Sequence, residues 1–343
     1  MSVRPPRLRS GDAVAVVSTS WGGPHAFPPV YEAGIATLRQ LGLEVREFPT
    51  ARRSAGELRS DPRCRAADLN DAFEDPSIAA VIASIGGDDS ARILPYLDPD
   101  LIRNNPKVLM GYSDTGTQLL FAHQLDLVTF NGPAVMAGLA QCRHFPALEA
   151  HIRAVLFEPT PTYEYRPFEH WVDGYADWKQ SDDPTAVGDL RPHDGWRWLN
   201  GSDIARGKLV GGCIEVLEFL KGSRYWPDED WWHDRILFLE TSEDEPSPEQ
   251  VRHWLLNYGV QGVFDRIGGL MFGRARGYSD DRKMELDETI HAIVVDEFGA
   301  TNLPIVTNMD FGHTDPQWIL PLGVAAELNP TSRTFRLIEP AVN

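Results

Sequence analysis

The segment Gly111-Tyr112-Ser113-Asp114-Thr115-Gly116 places a serine where the apolar run 107–112 gives way to helical spacing over about 114–124. A serine on a sharp strand-to-helix turn is exposed, and the N–H groups after it point at any oxyanion forming on an attacked carbonyl. The positive end of the helix adds to that field. The spacing departs from G-x-S-x-G, because Gly116 falls one residue late. A Ser-Asp pair at a helix start is also open to a plain capping role, which both residue types favour. A nucleophilic serine needs a base, and the base needs a carboxylate to orient it. Phe311-Gly312-His313-Thr314-Asp315-Pro316 offers a histidine in a tight polar loop, and Leu239-Glu240-Thr241 offers a carboxylate at the end of an apolar strand. Taken singly, His313 reads as a loop histidine and Glu240 as a strand-end charge. The chain order Ser, Glu, His is that of the α/β-hydrolases, although triads recur in any order on unrelated folds.

Other chemistries find less support. No G-x-G-x-x-G follows a strand. The nearest approach to a phosphate loop, Gly201 to Lys208, has five residues between its glycines and Leu209 where Ser or Thr must hold magnesium. No His-Glu-x-x-His occurs, and the ten histidines are scattered, so no metal site is expected. Cys64, Cys142 and Cys213 form neither a disulfide framework nor a zinc pattern, which fits a reducing cytoplasm. With 32 basic against 50 acidic residues the net charge is −18, and such a field repels a nucleic-acid backbone. No apolar run of about 18 residues exists to cross a membrane. The apolar run at 13–17 is too short for a signal-peptide core. No organic cofactor is implied.

The elements that must position these residues alternate. Val14–Ser18, Leu43–Phe48, Ala79–Ile85 and Lys107–Tyr112 read as strands, the first and third of them buried, with another beginning at Val128 and Phe130. Helical stretches at Tyr31–Leu41, Ala66–Phe73, Ser90–Leu97 and about 114–124 fall between them. That alternation implies parallel β-α-β units in an open doubly wound sheet. Ligands of such sheets sit off the carboxyl ends of the strands, where Ser18, Gly86-Gly87 and Ser113 fall. The texture then changes over 157–200, rich in proline, acid and tryptophan (Trp171, Trp178, Trp196, Trp198). This reads as a long irregular connection of the kind that often carries function. A second pattern begins near Gly207. It has a helix at Cys213–Leu220, strands at Asp234–Glu240, Ile267–Phe272 and Pro304–Asn308, helices at Pro248–Tyr258 and Arg282–Phe298, and two or three short final strands. The 343 residues thus divide into 1–160, a Trp/Pro-rich connecting loop at 161–206, and 207–343.

An ordered set of motifs then resembles a known family across nearly the whole chain. It comprises Ile85-Gly86-Gly87-Asp88-Asp89-Ser90, Leu94-Pro95-Tyr96-Leu97-Asp98, Asn105-Pro106-Lys107, Gly111–Asp114 and Asn131-Gly132-Pro133. Later come Gly207–Gly212, Gly222–Pro227, Leu239–Thr241 and Gly312–Pro316. The set is similar to the LD-carboxypeptidase family of serine peptidases, and most like its microcin C immunity branch. The resemblance implies an N-terminal flavodoxin-like α/β domain and a smaller C-terminal α/β domain, with the site between them. It implies Ser113 as nucleophile, His313 as acid/base, Glu240 as its partner, and an oxyanion hole from the N–H groups of Gly87 and Asp114. It further implies a cytoplasmic homodimer that needs no metal. The substrate is then an aminoacyl or peptidyl group joined by an amide to a nucleotide-like moiety. The other branch instead trims terminal D-alanine from murein tetrapeptide. The Gly-Gly-Asp-Asp-Ser turn carrying Asp88 points to the immunity branch. So does the tryptophan-rich connection, where Trp178 and Trp196 are placed to stack on a base. Trp171 and Trp198 read as packing anchors. Cys213 stands where the family has a substrate-holding Asn, and a thiol cannot replace the amide's donor and acceptor. A non-catalytic two-domain binding protein is the contrasting reading, disfavoured because all three triad positions are filled.

Overall fold

The structure, a computed structural model, describes residues 2–343. Strands β1 (Ala13–Val17), β2 (Glu44–Glu47), β3 (Ile78–Ala83), β4 (Val108–Gly111) and β5 (Thr129–Asn131) form a parallel sheet in the order 5-4-3-1-2. Strand β2, at the sheet edge, is charged and largely exposed, whereas β1 and β3 are apolar and rich in β-branched residues, and β1 and β4 are buried at every position. That is how a strand covered by helices on both faces must read. The strand order reverses beside β1, and the carboxyl ends of β1, β3 and β4 open together at this switch point. The helix Pro28–Gln40 packs closely there: a Cβ on Gly34 would lie 2.0 Å from the carbonyl oxygen of Val135.

The connection supplies β6 (Tyr163–Tyr165), β7 (His170–Trp171), β8 (Arg191–Pro192) and β9 (Arg197–Asn200). After it come β10 (Ala205–Cys213), β11 (Arg235–Glu240), β12 (Gly269–Gly273) and β13 (Ile305–Met309), and then β14 (Leu320–Leu322), β15 (Ala325–Asn329) and β16 (Thr334–Leu337). An eight-stranded sheet runs 6-16-15-10-11-12-13-9, with β10 to β13 parallel at its centre. Mixed α/β architecture with a doubly wound first sheet is therefore what the alternation predicts and what the chain adopts.

Three details differ from the sequence reading. The 157–200 stretch is not structureless: β6 and β9 pair antiparallel to β16 and β13 and form the two edges of the second sheet. Such strands take their order from distant partners, so local composition does not disclose them. The helix expected at Cys213–Leu220 is shorter, at Ile214–Glu218, because Cys213 ends strand β10 opposite Glu240. Glycines hide that strand. Gly211 lies at φ +153°, and a Cβ there would come within 1.7 Å of the Phe238 carbonyl oxygen. Finally, β14 crosses over to pair antiparallel with β5 of the first sheet. The helix Gly116–Gln124 behind Ser113 also packs on β10. One continuous apolar core consequently spans both sheets.

Candidate active site

Ser113 follows β4 at φ +56°, a left-handed conformation that non-glycine residues rarely adopt. It opens a 3-10 turn, Ser113–Thr115, that runs into the helix Gly116–Gln124. Glycines make the elbow possible. A Cβ on Gly86 would stand 3.0 Å from Ser113 Oγ, and one on Gly111 would stand 2.8 Å from Thr115 Cγ2. The side chain of Asp114 faces inward and is fully buried. Its Oδ2 accepts N–H bonds from Asp89 (2.9 Å) and Ser90 (2.8 Å), while Ser90 Oγ donates to the Asp114 carbonyl (2.5 Å). The Gly-Gly turn is thereby stitched to the elbow. Burial raises the Asp114 carboxyl above its ordinary range, opposed by these bonds. Gly87, at φ +146°, lines the cavity above Ser113.

The second sheet delivers the other two groups. Glu240 ends β11 and is fully buried, and its Oε2 lies 2.6 Å from His313 Nδ1. Gly312, at φ +102°, permits the close approach, because a Cβ there would fall 2.7 Å from Glu240 Oε2. The loop carrying His313 is closed by the Trp318 N–H bond to the Asp310 carbonyl (2.7 Å). Asp315 exchanges backbone bonds with Val172 of the connection. Tyr112 packs edge-on against the His313 ring at 4.9 Å between centroids. Burial raises the Glu240 carboxyl, against the charge and hydrogen bond of His313. Burial alone would lower His313, but the charge and bond of Glu240, reinforced by Glu243, outweigh it and push the imidazole up to about 10.

Ser113, His313, Gly87 and Asp88 share one cavity of about 410 Å³. His313 Nε2 has no hydrogen-bond partner among the described residues, and the Glu243 carboxylate lies 3.1 Å from it, out of hydrogen-bond alignment. Asp88 stands at the mouth, paired with Arg59 at 3.1 Å, both exposed. Trp178 stacks on Tyr175 (4.3 Å, 17°), and it is Tyr175 that lines the cavity, with Trp178 behind it. Trp196 bonds Asp310 Oδ2 through Nε1 (2.8 Å) and packs on Trp318, at a surface apart from this cavity. Cys213 is wholly buried beside Glu240, with its thiol directed to Glu215 at 3.1 Å and raised well above its ordinary pKa by burial. Sequence reasoning passed over Glu243, Tyr175, Trp21, Arg59 and Ala137, which also line the cavity. None of these carried a local signal: Glu243, three residues beyond the end of β11, looks like any other acidic loop residue. Among the described residues no cluster of three or more His, Cys, Asp or Glu is placed to hold a metal ion. No helix among the described residues is long and apolar enough to cross a membrane.

A doubly wound sheet, a left-handed serine at its rim and a buried carboxylate–imidazole pair facing the same cavity together describe a hydrolase of the α/β class. Family comparison is specific: LD-carboxypeptidase N-terminal and C-terminal domain models match residues 14–132 and 206–328. The chain belongs to the LD-carboxypeptidase family, the S66 peptidases. It is 27% identical over 340 residues to the microcin C7 self-immunity protein MccF of Escherichia coli, covering 97% of this chain and 94% of that one. It is 25% identical over 352 residues to a probable murein peptide carboxypeptidase of Bacillus subtilis, covering 100% and 96%. Among solved structures, an MccF-like protein from Streptococcus pneumoniae in complex with AMP superposes with a TM-score of 0.82 at 29% identity, covering 95% and 98%.

Proposed function

We propose that the protein is a serine hydrolase of the microcin C immunity type. It cleaves the amide between an aminoacyl or peptidyl group and a nucleotide-like moiety through an acyl-enzyme. Ser113 Oγ attacks the carbonyl carbon while His313 Nε2 takes its proton, and Glu240 holds the imidazole in the right tautomer. The N–H groups of Gly87 and Asp114 receive the developing oxyanion. The proton on Nε2 then leaves with the amine, and a water, deprotonated by the same nitrogen, releases the acyl group. The observation that carries this reading is the buried His313–Glu240 pair opening onto the cavity that contains a left-handed Ser113.

The branch is supported by the aromatic pair from the connection. Tyr175 lines the cavity with Trp178 stacked on it, and packing a base against such aromatic side chains contributes about 1–3 kcal/mol with little regard to base identity. The likeness to a protein that binds AMP supports it further. In this reading the enzyme works in the cytoplasm as a homodimer without metal. Asp88, with Arg59, flanks the entry. Cys213, in the place of the family's Asn, serves packing beneath Glu240 rather than substrate contact. Mass spectrometry after incubation with an aminoacyl sulfamoyl adenosine, and separately with murein tetrapeptide, tests the assignment. Free amino acid from the first is expected; release of D-alanine from the tetrapeptide alone would move the protein to the murein branch.

A further inference from the structure

Glu243 stands in the loop after β11 with its side chain 47% exposed, and lines the cavity. Its Oε2 is 3.1 Å from His313 Nε2, the nitrogen that must face Ser113. That nitrogen has no aligned hydrogen bond, so charge rather than a directed bond holds Glu243 there. The imidazole therefore lies between two carboxylates, Glu240 at Nδ1 and Glu243 at Nε2. An imidazole that keeps its proton up to about pH 10 is not a base at neutral pH. Glu243 is drawn down in turn to about 2, burial being outweighed by the nearby charge of His313. The other charged or titratable groups facing Glu243 are Arg276, Tyr175, Tyr112 and Glu240. Arg276 lies over the Tyr175 ring at 5.0 Å, and its pull on Glu243 ranks below that of His313. Elsewhere in the lining Arg59 and Asp88 neutralise each other. The unbalanced pair that a substrate meets is Glu243 against the catalytic imidazole.

We propose that Glu243 is the specificity-determining residue of this site: its carboxylate receives an ammonium group on the acyl portion of the substrate, and until such a cation arrives it holds His313 away from Ser113. This rests on the Ser113–His313 hydrolase reading. An entering ammonium gives Glu243 a partner of the same charge as the imidazolium. Glu243 turns to it, His313 loses one of its two carboxylates, and the Nε2 proton passes to solvent. Nε2 then accepts the Ser113 proton as the Oγ–carbon bond forms. A carboxylate on the acyl portion meets repulsion instead. Aminoacyl groups with a free α-ammonium and a neutral side chain are therefore preferred over aspartyl or glutamyl groups.

Two readouts on the full chain test this. Fluorophosphonate labelling of Ser113, followed from pH 6 to 10, reports the base without depending on any particular substrate. Glu243→Gln is expected to move the labelling midpoint down by at least one pH unit and to speed labelling at pH 7 by tenfold or more. Hydrolysis of alanyl sulfamoyl adenosine and of its N-acetyl derivative reports recognition. The wild-type protein is expected to favour the free amine by more than tenfold in kcat/KM, and Glu243→Gln to lose that preference. An unmoved midpoint, or no preference in the wild type, overturns the role of Glu243 while the hydrolase stands. Absence of labelling in both proteins at every pH overturns the hydrolase reading itself. Because the side chain is half exposed and in a loop, the variant is expected to fold, and the wild-type preference is informative without it.

Discussion

His313 and His151 are nearly equally buried, at 5% and 4% exposure, yet their environments push them in opposite directions. His313 sits between Glu240 and Glu243 and is raised to about 10. His151, on the helix Pro146–Ile152, bonds the Tyr163 hydroxyl through Nδ1 (2.7 Å) and accepts the Ile319 N–H through Nε2 (2.8 Å). Its partners are neutral, so burial lowers it to about 3. Burial makes an imidazole sensitive, and the charge of its partners decides the sign. One histidine is thereby kept neutral as a structural hydrogen-bonding block, and the other is held charged between two carboxylates.

The comparison breaks most sharply at Ser113, the proposed nucleophile. Ser113→Ala is expected to reduce kcat by about 10⁶-fold with an unchanged circular dichroism spectrum, since serine and base act as one unit. Glu240→Gln removes the carboxylate that fixes the His313 tautomer. Its expected loss is about 10⁴-fold in kcat, and NMR titration of the imidazole should show His313 falling toward its ordinary range. His151→Ala should do the reverse. Fluorophosphonate labelling of Ser113 stays within a factor of two of wild type, our order-of-magnitude expectation for a site remote from the cavity. Urea unfolding shows a loss of about 2–4 kcal/mol from the orphaned Ile319 N–H and the void.

The two histidines also tilt stability against pH in opposite senses. His151 is lowered on folding, so the unfolded chain binds the extra proton between pH 6.5 and about 3, and stability from this site drains as pH falls through that window. His313 is raised on folding, so its contribution is full below pH 6.5 and is lost as pH rises toward about 10. Urea midpoints measured from pH 4 to 10 should slope down at both ends, and Glu240→Gln should flatten the alkaline slope alone. Smallest of all is Arg59→Ala. The exposed pair with Asp88 should cost under about 1 kcal/mol in the same assay, because solvent screens it.

Legibility in the sequence followed the range of the forces involved. Buried strands announce themselves by short apolar runs, β-branched in β1 and β3 and leucine-, methionine- or phenylalanine-rich in β4 and β11. The helix Pro248–Val260 is marked by proline in its first turn, and its Ser247–Gln250 capping box is equally local. Strand β10 did not show, because its glycines serve close contact with β11 rather than side-chain burial. Edge strands β6 and β9 did not show because their order comes from partners far along the chain. In the site, Ser113, Glu240 and His313 were visible as residue types at element ends. Glu243 was not distinguished from any other acidic loop residue of a chain with net charge −18.

The sequence by itself therefore determined the alternation of elements, the strand-end placement of a serine, a glutamate and a histidine, and the family to which their ordered motifs belong. These are properties of short segments, set by side-chain period and turn chemistry. Only the tertiary structure decided that Glu240 meets Nδ1 while Glu243 approaches Nε2, that Tyr175 rather than Trp178 or Trp196 lines the cavity, and that Cys213 is packed away. Those outcomes depend on distances of a few ångströms between segments far apart in the chain. Charge and stacking act at that range, and no local pattern encodes it.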